Sequence, residues 1–127
     1  MKRLALLAAL AALAVMALGA ASASAKPIER TCTTTSKNVT TKNVQGFVYA
    51  TNVAPTQAKY AQCGTAKKVM NKMLSLRIEK PKVYEGFRCT PAVVQTEPDI
   101  VNYKCVFKGA DTPTFIKLIF TAKYDQD

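Results

Sequence analysis

Residues 101–124, VNYKCVFKGADTPTFIKLIFTAKY, hold one pattern on both sides of a single turn. Before the turn, Val101, Tyr103, Cys105 and Phe107 alternate with Asn102, Lys104 and Lys108. After it, Ile116, Leu118, Phe120, Ala122 and Tyr124 alternate with Phe115, Lys117, Ile119, Thr121 and Lys123. A period of two sends the first set of each run to one face of a sheet and the second set to the other. Residues 109–113, bounded by Gly109 and Pro113, reverse the chain. The reading is an antiparallel hairpin with one buried face.

Upstream, Gly86 opens a further strand in which Phe87 and Cys89 face inward and Arg88 outward, and residues 96–99, with Pro98 inside, turn it toward the hairpin. Tyr84, following Lys82 and beside Glu85, falls in the loop before that strand. The pattern then changes period. Over residues 63–78, Ala66, Val69, Met70, Met73 and Leu74 recur at helical spacing, while Lys67, Lys68, Asn71, Lys72 and Ser75 take the other side. Met70 and Met73 sit at core spacing and read as packing. Residues 56–62 extend this helix upstream, with Gly64 as a weak point, and Pro81 stops it. Residues 44–53 form another strand, with Phe47, Tyr49, Thr51 and Val53 on one face and Val48 and Ala50 on the other, ending before Pro55. Residues 26–43 are polar and rich in threonine, an extended arm or edge strand tied down by Cys32. The expected fold is α+β: one main helix packed on an antiparallel sheet of three to five strands, with two disulfides. The domain proper spans residues 44–127. Lys37-Asn38-Val39 recurs as Lys42-Asn43-Val44, too short a repeat to carry architecture.

The helix start Cys63-x-x-Ala66-x-x-Val69, the run Gly86-Phe87-Arg88-Cys89 and the run Tyr103-Lys104-Cys105 before a turn glycine form a combination. It resembles that of a loose set of small secreted proteins of high-GC Gram-positive bacteria, without assigned activity. The resemblance covers residues 62–124. It implies an exported α+β domain and brings no catalytic residue with it.

The first 25 residues read as a secretory signal peptide: Lys2 and Arg3, fifteen apolar residues from position 4 to 18, then Ala23-Ser24-Ala25 as a cleavage site. Their removal matters for composition. The whole chain is 49% hydrophobic with a formal charge of +10, but the leader holds much of that apolar content and two of the cations. No later apolar run matches it in length, so a soluble secreted protein without a transmembrane segment is expected.

Cys32, Cys63, Cys89 and Cys105 are an even set in a chain bound for an oxidising compartment, which implies two disulfides with three possible pairings. Cys63, Cys89 and Cys105 all fall on the inward side, with Cys32 reaching in. Their spacings are too wide for a zinc or redox Cys-x-x-Cys pair, and no metal site or cofactor is expected. The chain has no histidine, the usual general base of hydrolases and many nucleases. Its eight acids are scattered; Glu97 and Asp99 flank Pro98 in a turn. No glycine-rich phosphate loop is present. These absences point away from an enzyme, leaving a carboxylate-dependent hydrolase as the third choice. Asn38-Val39-Thr40 is a glycosylation sequon, relevant only in a eukaryotic secretory route.

The basic residues are the strongest functional candidates. Arg88, Lys104, Lys108, Lys117 and Lys123 point outward from the sheet by alternation, and a simple hairpin register sets Lys104 beside Lys117. Like charges facing across a ladder are unfavourable, an arrangement suited to a bound anion. Lys67, Lys68 and Lys72 add a cationic helix face. Such surfaces attract phosphate-rich polymers and anionic lipid headgroups; the ordinary alternative is solubility and edge protection. No sequence-specific nucleic-acid motif is present. A second candidate is the outward apolar set Phe115, Ile119 and Val106, which either anchors a protein contact or lies covered by residues 44–53 or the arm, the cover being the favoured expectation. The leading expectation is a non-catalytic extracellular or cell-surface binding module for an anionic polymer or cell-wall component. The alternative is a secreted protein-interaction or inhibitor module.

Overall fold

The computed structural model describes residues 26–40, 43–109 and 113–124. The leader assigned to residues 1–25 and the middle of the 109–113 turn lie outside them. Six strands, β1 (Ile28–Thr35), β2 (Asn43–Thr51), β3 (Lys82–Tyr84), β4 (Phe87–Gln95), β5 (Ile100–Phe107) and β6 (Phe115–Lys123), pair antiparallel throughout. They form one sheet in the order β1-β2-β6-β5-β4-β3. The α+β reading holds, and the sheet has six strands rather than three to five. The arm supplies β1, and a short strand precedes β4 where a loop was expected.

That short strand owes its existence to its turn. Glu85 and Gly86 both take positive φ, 52° and 79°, the pairing required of a two-residue hairpin whose twist matches its strands. Tyr84 is thereby set opposite Phe87. A side chain at position 86 has no room either, because a β-carbon there would lie 2.4 Å from the Phe107 ring.

Between β2 and β3 the chain makes a 3₁₀ turn (Pro55–Ala61) and then helix α1 (Cys63–Leu76). The two are separate, broken at Gln62, whose extended backbone ends one and begins the other. α1 buries Ala66, Val69, Met70, Met73 and Leu74, the five residues its periodicity selects. It stops at Leu76, five residues before Pro81, and is capped by Arg77, whose left-handed backbone carries its N–H to the Met73 carbonyl. The helix packs mainly on β1, β2 and β6. Thr34 of β1 donates a hydrogen bond to the Asn71 side-chain carbonyl oxygen, fastening the edge strand to the helix.

The inner face of the sheet is the core: Val48, Ala50, Phe87, Tyr103, Phe107, Ile116, Leu118 and Phe120 are buried beneath the helical layer. Tyr60 of the 3₁₀ turn stacks on Phe107, extending the cover beyond α1. Two disulfides close the structure. Cys32–Cys63 joins β1 to the first residue of α1, and Cys89–Cys105 links register partners on β4 and β5. Two such bridges suit an oxidising, extracellular setting. Among the described residues no helix is long and apolar enough to cross a membrane.

Candidate functional site

Among the described residues the helical cover lies on one face of the sheet, and the other face is open. β6 shows why this matters. Apart from Lys117, Phe115-Ile116-Lys117-Leu118-Ile119-Phe120 is apolar on both faces, close to the composition of a strand buried on two sides, yet its even positions are the buried ones. On the open side Phe47 is 51% exposed, Ile119 40% and Phe115 38%. Among the described residues the expected cover over Phe115 and Ile119 is absent. Residues 44–53 extend the sheet edgewise as β2 instead of lying across it, because backbone pairing with β6 consumes the strand's hydrogen bonds in the sheet plane.

Register fixes which side chains meet. Phe47 stands opposite Ile119, and Ile119 opposite Lys104, which is opposite Thr90. One row along, Tyr49, Lys117, Val106 and Arg88 follow one another across four strands. The Tyr49 ring meets Phe115 edge-on at 6.5 Å between centroids, and the Lys117 ammonium lies 5.9 Å over that Tyr49 ring. The simple hairpin register is therefore wrong. Lys104 and Lys117 do not face each other, because the β5–β6 connection shifts the pairing by two residues. The cations are staggered among apolar neighbours, and no like-charge strain across the ladder argues for a bound anion.

Charge on this face is nevertheless one-sided. Arg88, Lys104 and Lys123 are exposed and Lys117 half-buried, with Lys108 just past the end of β5. Glu29 at the β1 edge, opposite Tyr49, is the acid in these rows. Among the described residues none of the five cations has an ion-pair partner; Arg77 with Asp99 is the pair seen. Lys67, Lys68 and Lys72 are exposed on α1, in the other layer of the molecule. Lys72 is drawn over the Tyr84 ring at 5.6 Å. The eight candidate cations thus form two separate sets. Lys104, Lys117 and Arg88 share one face with Phe47, Tyr49, Phe115 and Ile119; the helix lysines do not.

A concave site lies elsewhere. Beyond α1 the inner face near the β4–β5 turn is left partly uncovered, giving a cavity of about 640 Å3 that Arg77, Pro91, Val93, Asp99, Tyr103 and Tyr124 help to line. The two tyrosine hydroxyls hydrogen-bond to each other, and that of Tyr124 also reaches the Leu74 carbonyl. Burial holds both phenols above their ordinary pKa, so both keep their protons and neither serves as a base at neutral pH. Their pairing was not legible in the alternation, which marks both only as inward. Among the described residues no group of histidine, cysteine, aspartate or glutamate side chains is placed to hold a metal ion.

No family model, curated protein or solved structure matches this chain.

Proposed function

We propose that the protein is exported and acts without catalysis, holding an anionic polymer or cell-wall component against the open face of its sheet. One observation carries this reading: the face presents Arg88, Lys104, Lys117 and Lys123 without ion-pair partners among the described residues, interleaved with exposed apolar side chains. Cations supply long-range attraction that salt weakens. Phe47, Tyr49 and Ile119 supply short-range contact with the ring or backbone carbons of a polymer repeat. The secretory leader expected at residues 1–25 and the two disulfides support export.

The test compares two charge reversals of equal size. Lys104→Glu with Lys117→Glu alters the open face, and Lys67→Glu with Lys68→Glu alters α1. With dextran sulfate and polyphosphate as probes, the sheet variant is expected to lose about tenfold or more in affinity at physiological salt while the helix variant stays close to the parent. Equal losses in both would reduce the effect to net charge and overturn the reading.

A secreted protein-interaction or inhibitor module is the second reading, favoured by the exposure of Phe47, Phe115 and Ile119 side by side. It requires binding that survives high salt and is abolished by Phe47→Ser.

A further inference from the structure

The cavity beside the end of α1 is a different site from the open face, on the other side of the sheet. Its floor is Tyr103 and Tyr124, whose hydroxyls are already engaged with each other and with the Leu74 carbonyl. Its walls are apolar: Ile78, Pro91, Val93 and Val101, of which Val93 is 63% exposed on the strand side. Besides the two hydroxyls, its polar lining is Arg77, Glu79, Thr96 and Asp99, of which Arg77 is the cation. The guanidinium carbon lies 4.3 Å from the centroid of the Tyr124 ring, and Nη2 donates to Oδ2 of Asp99 at 3.0 Å. A guanidinium carries five N–H donors; among the described contacts Asp99 takes one of them. Arg77 also occupies the left-handed position closing α1, with φ 47°, where glycine or asparagine is the usual residue. A long cationic side chain is kept there against local backbone preference and laid across an aromatic ring at the mouth of a cavity.

We propose that this cavity binds a small organic carboxylate with an apolar body, its head on the free donors of Arg77 and its body against Pro91, Val93 and Val101. The volume lies in the range of small-molecule sites, which combine apolar walls with a few orienting polar groups. Planar donors in a fixed fork match a carboxylate. The two acids on the rim do not reverse this preference. Asp99 takes one N–H of the guanidinium and competes for it, leaving the other donors to the ligand, and Glu79 is exposed at the lip, next in sequence to Lys80. The net positive charge, +10 for the whole chain and +8 without Lys2 and Arg3 of the expected leader, further favours anions reaching the protein.

The experiment is a titration of the protein with decanoate, and separately with decanol, below their aggregation limits, followed by amide chemical shifts. Decanoate is expected to give saturable shifts at Arg77, Ile78, Val93 and Val101, with decanol at least about tenfold weaker for want of a charged head. Arg77→Ala abolishes the difference between the two probes. Asp99→Asn provides the sharper arm, since removing the competing carboxylate frees the guanidinium and strengthens decanoate binding at least about twofold while leaving decanol unchanged. A merely structural role for the Arg77–Asp99 pair predicts weakening of both. Equal binding of the two probes, an Asp99→Asn variant that gains nothing, or shifts confined to Phe47 and Ile119 on the open face would each overturn the proposal. Should Arg77→Ala fail to fold, the Asp99→Asn and decanol arms decide alone.

Discussion

Gly46 of β2 lies directly beneath Met70 of α1: a β-carbon on Gly46 would come 2.5 Å from the methionine sulfur and 3.0 Å from a Leu118 methyl. The helix reaches the sheet here because one strand residue has no side chain. Met70 is fully buried and has little room to swing aside. Gly46→Ala is therefore expected to destabilise by about 1–3 kcal/mol through overpacking. A double variant with Met70→Ala should cost less than the sum of the two single changes, because each relieves the other's fault. Urea unfolding of the four proteins measures the coupling, and strict additivity would show that the two sites do not meet.

Alkaline pH should unfold the protein through the paired tyrosines. Burial raises both phenols above the ordinary value of 10.0, and for Tyr124 the hydrogen bond with Tyr103 adds to the rise. Above pH 10 the unfolded chain releases these protons while the native state keeps them, so stability is intact below pH 10 and falls as pH rises beyond it. The slope is up to about 1.4 kcal/mol per pH unit for each tyrosine. Tyr103→Phe and Tyr124→Phe should each flatten it. Unfolding free energies between pH 8 and 12 provide the measurement; slopes identical to the parent in both variants would place the loss in other groups.

The two disulfides should differ in what they hold. Cys32–Cys63 ties an edge strand to the helix across 31 residues, and Cys89–Cys105 joins two strands already in register, 16 residues apart. Replacing either pair with alanine is expected to cost about 2–4 kcal/mol. Hydrogen exchange separates them: loss of Cys32–Cys63 should expose the amides of β1 while β5 and β6 stay protected. Equal exposure across all strands would mean that the sheet opens only as a whole.

Phe47→Ser and Ile119→Ser remove large side chains that already face solvent, and each should change stability by less than about 1 kcal/mol. Leu118→Ala, one residue away and facing the helix, should cost about 2–5 kcal/mol. Thermal unfolding of the three variants distinguishes a binding surface from a hidden core. A multi-kilocalorie loss at Phe47 would mean that something within the chain covers it.

Periodicity made the helix and the strands β2, β4, β5 and β6 legible, because each is long enough to show an apolar face. β3 was not, being three residues whose pairing depends on the Glu85-Gly86 turn. Alternation also assigned an outward face to Lys104, Lys108, Lys117 and Lys123, but it does not name their neighbours. Facing depends on parity alone, whereas pairing depends on where a connection releases the chain, so Lys104 meets Ile119 and not Lys117. The same gap concealed the disulfide pairing, since Cys89 opposite Cys105 is a fact of register. The Arg77 cavity left no trace in the sequence: its guanidinium and Asp99 are 22 residues apart and come together only when α1 ends above the β4–β5 turn.

The strand nearest the C-terminus, β6, lies inside the sheet, with β2 on one side and β5 on the other. Until it arrives, the β1–β2 hairpin and the β3–β5 segment are halves with no common border. A chain passing through a membrane pore from its N-terminus would emerge with its central plank still missing. For a chain exported in that way, assembly of the native sheet would wait for the last stretch to clear the exit. The order of strands would then act as a timing device, with folding after delivery and not on the way.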